Sequence, residues 1–324
     1  MVKAIRMEAF GGTDVLKWQD VELSAPGVGE VRIRHTAIGL NFIDTYHRTG
    51  LYPLPLPATP GLEAVGVVEA VGDGVGGLAV GDRVGYPIGP IGAYAEARNI
   101  PADKIVKIPD SVSDEDAAAL MLKGCTVEFL TERLYPVKAG ETVLLHAAAG
   151  GLGLIACQWL KALGATVIGT VGSEEKAELA RANGCTHTVL YRDEDFVARV
   201  REITNGEGVP VVYDSVGKAT FMGSLDCLKR RGVMVTFGNA TGPVDPVPPA
   251  LLAQKGSLFL TRPTLMDYAA TRADMVHSTS RVFEMIASGK LKSQINQRFA
   301  LKDAAKAHEA LEARKTSGQT ILIP

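Results

Sequence analysis

Residues His146 to Gln158 read HAAAGGLGLIACQ, and the fold turns on how this stretch is taken. It begins inside TVLLHAA (142–148), an apolar run without alternation, as expected of a parallel strand covered on both faces. It ends inside LGLIACQWLKALG (152–164), which continues as a well-buried helix. The turn carries Gly150, Gly151 and Gly153, with Ala148 where the first glycine of G-x-G-x-x-G would fall. Strand, glycine turn and helix in that order are the context of a dinucleotide-binding turn. Gly150 would let the backbone approach a pyrophosphate, Gly153 would permit close helix-to-strand packing, and N–H groups at the helix start would meet the negative charge. A merely structural strand-to-helix turn carries the same glycines, and Ala148 is expected at an unstrained φ.

Working outward from the turn, strands and helices alternate: ATVIGTV (165–171), SEEKAELARANG (173–184), HTVL (187–190), FVARVREIT (196–204), VPVVYDSVG (209–217) and GVMVTFGNA (232–240). Such alternation means βαβ units and a doubly wound parallel sheet, with ligands bound outside the carboxyl ends of its strands. NAD-binding folds usually place Asp or Glu at the end of the second strand to hold the ribose hydroxyls. Here that strand ends GTVGSEEK, so Gly172 and Ser173 occupy the acidic position and Lys176 lies one turn into the next helix. A 2′-phosphate would find room, a hydroxyl and a counter-charge there, which favours NADP over NAD. The plainer readings are a Ser173 N-cap and a solvated Lys176. Glu174 and Glu175 would repel a phosphate that they faced.

The first 120 residues differ. EVRIRHTAIG (30–39), EAVGVVEAVG (63–72), GDRVGYPIG (81–89) and AYAEARNI (93–100) are short runs broken by Gly and Pro, and predict an irregular antiparallel barrel or sandwich. LYPLPLPATPGLE (51–63) is too rich in proline to join a central ladder and predicts an ordered loop, either solvated or one wall of a cleft. At the other end, ADMVHSTSRVFEMIASGK and KDAAKAHEALEARK predict helices, and GQTILIP is a late strand expected to return to the N-terminal module.

Composition excludes several classes. With 324 residues, 46% hydrophobic and 22% charged, the chain can bury a core and fill two domains. A formal net charge of −2 with no dense Lys/Arg cluster argues against nucleic acid or an anionic membrane as partner. MVKAIRMEAF alternates like a strand and lacks the apolar core of a signal peptide, and no segment approaches the roughly 18 apolar residues of a spanning helix, so a cytoplasmic location is expected. Cys125, Cys157, Cys185 and Cys227 lie far apart with no metal-ligand spacing and are expected to pack as small apolar residues. The scattered histidines predict surface or packing roles.

AAAGGLGLIACQ, together with LNFIDTYHRTGLYP (40–53), VVYDSVG (211–217), RRGVMVTFGNA (230–240), AQKGSLFLTRP (253–263) and the closing ILIP, closely resembles the zinc-free quinone oxidoreductases of the medium-chain dehydrogenase/reductase superfamily, the zeta-crystallin-like group. The likeness runs over essentially the whole chain. It implies an α/β protein: a GroES-like β-rich catalytic domain at 1–122, completed by 265–324, plus a doubly wound Rossmann domain at 123–264. Zinc-dependent relatives carry G-H-E where this chain has Gly61-Leu62-Glu63, and leucine cannot ligate a metal. The four-cysteine lobe of those relatives is also missing, so no metal is expected and alcohol oxidation loses its Lewis acid.

What the resemblance implies for the site is specific. Asn41 would lie near the nicotinamide, and Tyr46 and Tyr52 in the acceptor cleft, where an amide and two phenols orient a quinone oxygen or donate a proton. Thr126 in KGCTV would lie beside the nicotinamide ring. Gly150, Gly151, Leu152, Gly172, Ser173, Lys176, Tyr191 and Ser215 would line the cofactor groove, with Phe237, Gly238 and Asn239 flanking its nicotinamide half. Each has a bland alternative: Asn41 caps a turn, the tyrosines pack with a surface hydroxyl, Thr126 satisfies a helix backbone. The implied activity is NADPH-dependent reduction of a quinone or related electron-poor acceptor by a homodimer. Two other readings stand beside it, an NADPH-dependent enone or 2-alkenal reductase and a zeta-crystallin-like NADPH-binding protein with a structural or RNA-binding role.

Overall fold

A computed structural model describes residues 1–324. The chain divides into two compact units, one of Met1–Thr126 with Tyr268–Pro324 and one of Val127–Asp267.

In the first unit β1 (Val2–Arg6) pairs antiparallel with β2 (Lys17–Val21). A larger sheet is built from β3 (Glu30–Gly39), β4 (Ala64–Val71), β5 (Arg83–Tyr86), β6 (Ala97–Pro101) and β7 (Val106–Lys107). β3 is the hub: its first half pairs with β6, most of its length with β4, and the irregular register at Arg32/Ile33 and His35/Ala37 is where it bends to do so. α1 (Phe42–Thr49) follows β3 directly, and α2 (Asp114–Glu128) closes the N-terminal segment. Residues 51–63 form no strand apart from a bridge between Ala58 and Met7, as their prolines require.

The second unit holds six parallel strands: β8 (Thr142–Leu145), β9 (Thr166–Val171), β10 (His187–Leu190), β11 (Val209–Asp214), β12 (Leu228–Thr236) and β13 (Phe259–Thr261). Their spatial order is β10-β9-β8-β11-β12-β13, a doubly wound sheet whose order reverses between β8 and β11. α3 (Gly151–Ala162), α4 (Glu174–Ala182), α5 (Phe196–Ile203), α6 (Phe221–Cys227) and a short helix at Pro249–Gln254 make the five crossovers. Leu144, Ile168, Val189 and Val212 are fully buried, which explains why these strands read as apolar runs without alternation.

The chain then returns to the first unit. A helix at Arg272–Ala287 precedes β14 (Ile295–Ala300), a helix at Ala304–Glu312 and β15 (Gln319–Ile323). β15 pairs with β3 through Ile321 and Leu322, and Leu301, Ala304, Ala307 and Leu322 enter the same core as Ile33, Ile38 and Val84. The sheet expected to be antiparallel is therefore mixed, because β14 and β15 are joined by a helical crossover and must pair parallel. No helix is long and apolar enough to cross a membrane.

Candidate functional site

At the carboxyl edge of the second unit's sheet, β8 is followed by His146 and the chain enters the glycine turn. The left-handed residue there is Ala147, with φ 55°, and not Ala148. Ala148 is buried in the place of a first glycine because its neighbour on β9 gives way: a Cβ built on Gly169 would lie 2.6 Å from the Ala148 methyl. Gly150 is the N-cap of α3 in extended conformation, and its N–H donates to the Ala147 carbonyl at 2.9 Å. Gly153 is obligatory, since a Cβ on it would meet the same carbonyl oxygen at 2.2 Å. Gly151 and Leu152 open α3, so the N–H groups of its first turn point at the sheet edge.

Next along this edge, β9 runs into Gly172 and Ser173. Ser173 caps α4 by accepting from the Lys176 N–H, and Lys176 is half-buried in that first turn. Glu174 is drawn away to Arg181, leaving this carboxylate committed to a cation on its own helix. Tyr191, which follows β10, is exposed and leans its hydroxyl over Gly172, 2.9 Å from where a Cβ would stand. At the end of β11, Asp214 Oδ1 accepts from the Val216 and Gly217 N–H groups and shapes the loop carrying Ser215. That loop lies hard against the residues after β12: a Cβ on Gly238 would meet the Ser215 carbonyl at 2.1 Å, and the Phe237 N–H donates to the Asp214 carbonyl. Arg262, which sequence reasoning passed over, donates to the Gly238 carbonyl at 3.1 Å. The structure thus brings Gly150, Gly151, Leu152, Gly172, Ser173, Lys176, Tyr191, Ser215, Phe237, Gly238 and Asn239 to one edge, at the ends of β8 to β12. Glycines whose Cβ space is taken by backbone, a helix start at the strand ends and a capping hydroxyl with a lysine one turn on suit a dinucleotide bearing an extra phosphate.

The first unit gathers the other candidates on α1 and α2. Asn41 is the N-cap of α1, its N–H donating to Asp44 Oδ2 at 2.9 Å. Its side-chain amide donates to Glu63 Oε1 at 2.8 Å and lies 3.5 Å from the Gly39 carbonyl, while its side-chain oxygen faces the Asp44 N–H in a reciprocal capping box. Glu63 was seen in the sequence only as the end of Gly-Leu-Glu. It is fully buried, its Oε1 also 3.3 Å from Lys123 Nζ and its Oε2 accepting the Leu122 N–H at 2.8 Å. Burial raises its pKa, while the Lys123 ammonium and the Asn41 amide oppose the rise. Gly39 exists for this carboxylate, since a Cβ there would stand 2.1 Å from Glu63 Oε1. The lone lysine in AAALMLKGCTVEFL was the available signal, because a charge in an apolar helix needs a buried partner.

A second buried chain braces α1. Tyr94 donates to Asp44 Oδ2 at 2.9 Å and meets His308 Nε2 at 3.1 Å; His308 Nδ1 faces Arg48, whose guanidinium clasps Glu312 at 2.8 and 2.9 Å. Burial pushes Asp44 up to about 7, and burial with the Arg48 charge lowers His308 to about 3. Tyr46 is buried on α1 and the half-buried Tyr52 meets it edge-on, ring centres 5.3 Å apart. Thr126 donates to the Leu122 carbonyl at 2.8 Å, the helix-backbone role open to it from sequence.

The histidines correct the sequence reading. His35, His47, His146 and His308 are buried, and three of them are hydrogen-bonded nodes rather than surface or packing residues. Their partners are remote in sequence, so no local spacing marked them. All four cysteines are free and buried.

Fold and site define a class, a GroES-like β-rich domain joined to a dinucleotide-binding Rossmann domain. Residues 27–110 match the alcohol dehydrogenase GroES-like domain, and residues 151–285 match the zinc-binding dehydrogenase domain, a stretch that does not include Leu62. The chain is 52% identical to the quinone oxidoreductase of Pseudomonas aeruginosa over 325 residues, covering all of both chains. It superposes on the Escherichia coli quinone oxidoreductase complexed with NADPH with a TM-score of 0.98 at 49% identity, over 99% of this chain and 100% of that one. It is also 46% identical to a 2-haloacrylate reductase of a Burkholderia species, over 100% and 99% of the two chains. The chain belongs to the quinone oxidoreductase family of the medium-chain dehydrogenase/reductase superfamily.

Proposed function

We propose that this protein is a metal-free, cytoplasmic NADPH:quinone reductase that acts as a homodimer. The observation that carries the reading is the carboxyl edge of the Rossmann sheet, where a glycine turn, the Ser173 cap and Lys176 offer phosphate-binding groups with no acidic residue in the ribose position. When bound, NADPH supplies the hydride. The glycine turn and the start of α3 would hold its pyrophosphate, Ser173, Lys176 and Tyr191 its 2′-phosphate end, and Ser215 with Phe237, Gly238 and Asn239 its nicotinamide half.

In the catalytic domain, Asn41, held by Glu63 and by its place at the start of α1, orients the reacting groups, and proton donation to a quinone oxygen falls to Tyr46 or Tyr52. Positioning does the rest of the work, as expected where no Lewis acid is used. Leu62 in place of a ligating histidine supports the metal-free reading. A second reading, reduction of an activated alkene, is favoured by the 46% identity to a 2-haloacrylate reductase. Turnover of purified protein with NADPH across quinones, enones and haloacrylates, with elemental analysis of the same sample, tests the assignment. Quinone turnover without stoichiometric zinc is expected; zinc near one per chain with activity lost to a chelator refutes the metal-free reading, and alkene turnover alone selects the second.

A further inference from the structure

The Rossmann unit contains a buried polar chain that joins two of the loops at the sheet's carboxyl edge. His146 Nδ1 lies 2.9 Å from Thr170 Oγ1, and Nε2 lies 2.9 Å from Ser224 Oγ. Ser224 Oγ is 3.0 Å from Asp214 Oδ2 and 2.9 Å from the Thr220 carbonyl, both of which can only accept. The single Ser224 hydroxyl proton is therefore spent on one of them, and toward His146 the serine must accept. Nε2 then carries the imidazole proton and Nδ1 is the acceptor, so Thr170 donates to it. That leaves Thr170 Oγ1 to accept the Ala147 N–H, 3.3 Å away.

A bond to the Asp214 carboxylate is charge-assisted and the stronger of the two, so the chain has one direction throughout: Ala147 N–H to Thr170, Thr170 to His146, His146 to Ser224, Ser224 to Asp214. It starts at the one non-glycine residue of the glycine turn in the left-handed region and ends on the carboxylate whose other oxygen shapes the Ser215 loop. His146, Asp214 and Ser224 are fully buried and Thr170 nearly so, and burial lowers the His146 pKa, consistent with a neutral ring. A left-handed alanine persists only where its surroundings over-determine it. The Ala147 carbonyl also receives the Gly150 N–H and closes against Gly153, so the orientation of this one residue places the entrance of α3.

We propose that His146, with Thr170 and Ser224, is a positioning residue for the dinucleotide: a polarised chain that holds Ala147 in its left-handed conformation and so presets the pyrophosphate turn in register with the Ser215 loop. The proposal rests on the NADPH reading above and deepens it, but its test does not depend on catalysis. Thr170→Val keeps shape and β-branching while deleting the hydroxyl; Thr170→Ser keeps the hydroxyl. NADPH dissociation constants from cofactor fluorescence and thermal midpoints of the unliganded proteins are measured for both. The valine variant should bind NADPH about 5- to 30-fold more weakly, the effect of one lost buried hydrogen bond, with the serine variant within about twofold of wild type.

Ser224→Ala, which breaks the far end of the chain, gives a second and smaller loss should the valine variant fail to fold. Side-chain 15N shifts of the unliganded protein should show His146 as the neutral Nε2–H tautomer. Unchanged NADPH affinity in Thr170→Val with only a lowered midpoint would make the chain a core-stabilising network and overturn the proposal, as would equal losses in Val and Ser, or an Nδ1–H or doubly protonated His146. Wild-type protein that holds NADPH yet reduces no acceptor would defeat the functional reading and leave this inference standing.

Discussion

Replacing Glu63 by glutamine changes no shape, yet every contact of this side chain predicts a large effect. Both carboxylate oxygens only accept: Oε1 from the Asn41 amide and the Lys123 ammonium, Oε2 from the Leu122 N–H. A glutamine has one acceptor oxygen and one NH2 group, so in either orientation a donor is forced against a donor, and the buried ammonium loses its counter-charge. The Glu63 and Lys123 side chains are 0% and 8% exposed, leaving water little means of relieving either defect. Breaking a buried pair by removing one partner costs about 3–5 kcal/mol. For a domain of this size each kcal/mol moves the midpoint by about 2–4 °C, so calorimetry should find the catalytic domain's transition lowered by about 6–20 °C. The double variant Glu63→Gln, Lys123→Met should recover part of the loss, with a coupling energy of about 1–3 kcal/mol. The catalytic constant should fall as well, because Asn41 loses the carboxylate that aims its amide, while NADPH affinity stays near wild type. A shift below about 1 kcal/mol, or strictly additive single and double variants, would refute the claim that Glu63 organises this site.

Two further outcomes follow from the electrostatics. Lys176→Ala should lower kcat/KM for NADPH by about 10- to 150-fold, the worth of one charge-assisted hydrogen bond, with little change for NADH and a smaller loss as salt rises; equal losses for both cofactors would show that Lys176 does not meet the 2′-phosphate. His308, held neutral at about 3 in the fold and titrating near 6.5 when unfolded, contributes stability that is complete above about pH 6.5 and lost as pH falls toward 3. Chemical denaturation at pH 7 and pH 5 should therefore show wild type losing about 2 kcal/mol more than His308→Gln over that interval, and parallel losses would place the acid sensitivity elsewhere.

How much of this was legible depends on the sequence distance over which each feature is made. The Rossmann unit was readable because its signals are local: apolar runs without alternation, the glycine turn at 150–153 and the small residues just after β9, β11 and β12 all lie within a strand and the turn that follows it. The same locality exposed Ser173 and Lys176, three residues apart on one turn. The N-terminal runs showed strands but not their pairing, because β3 takes β4, β6 and β15 as partners and the last lies nearly three hundred residues away. What the sequence could not show are the groups that aim the candidate residues. Glu63 and Lys123 are 60 positions apart, His146 and Ser224 78, Tyr94 and His308 214, and Arg48 and Glu312 264. No periodicity marks such pairs, and apart from Lys123, whose charge stands in an apolar helix, each member looks like an ordinary polar residue until water is removed from around it. Burial makes an unmet donor or charge costly, so packing chose these partners, and with them the direction in which Asn41 and Ala147 point.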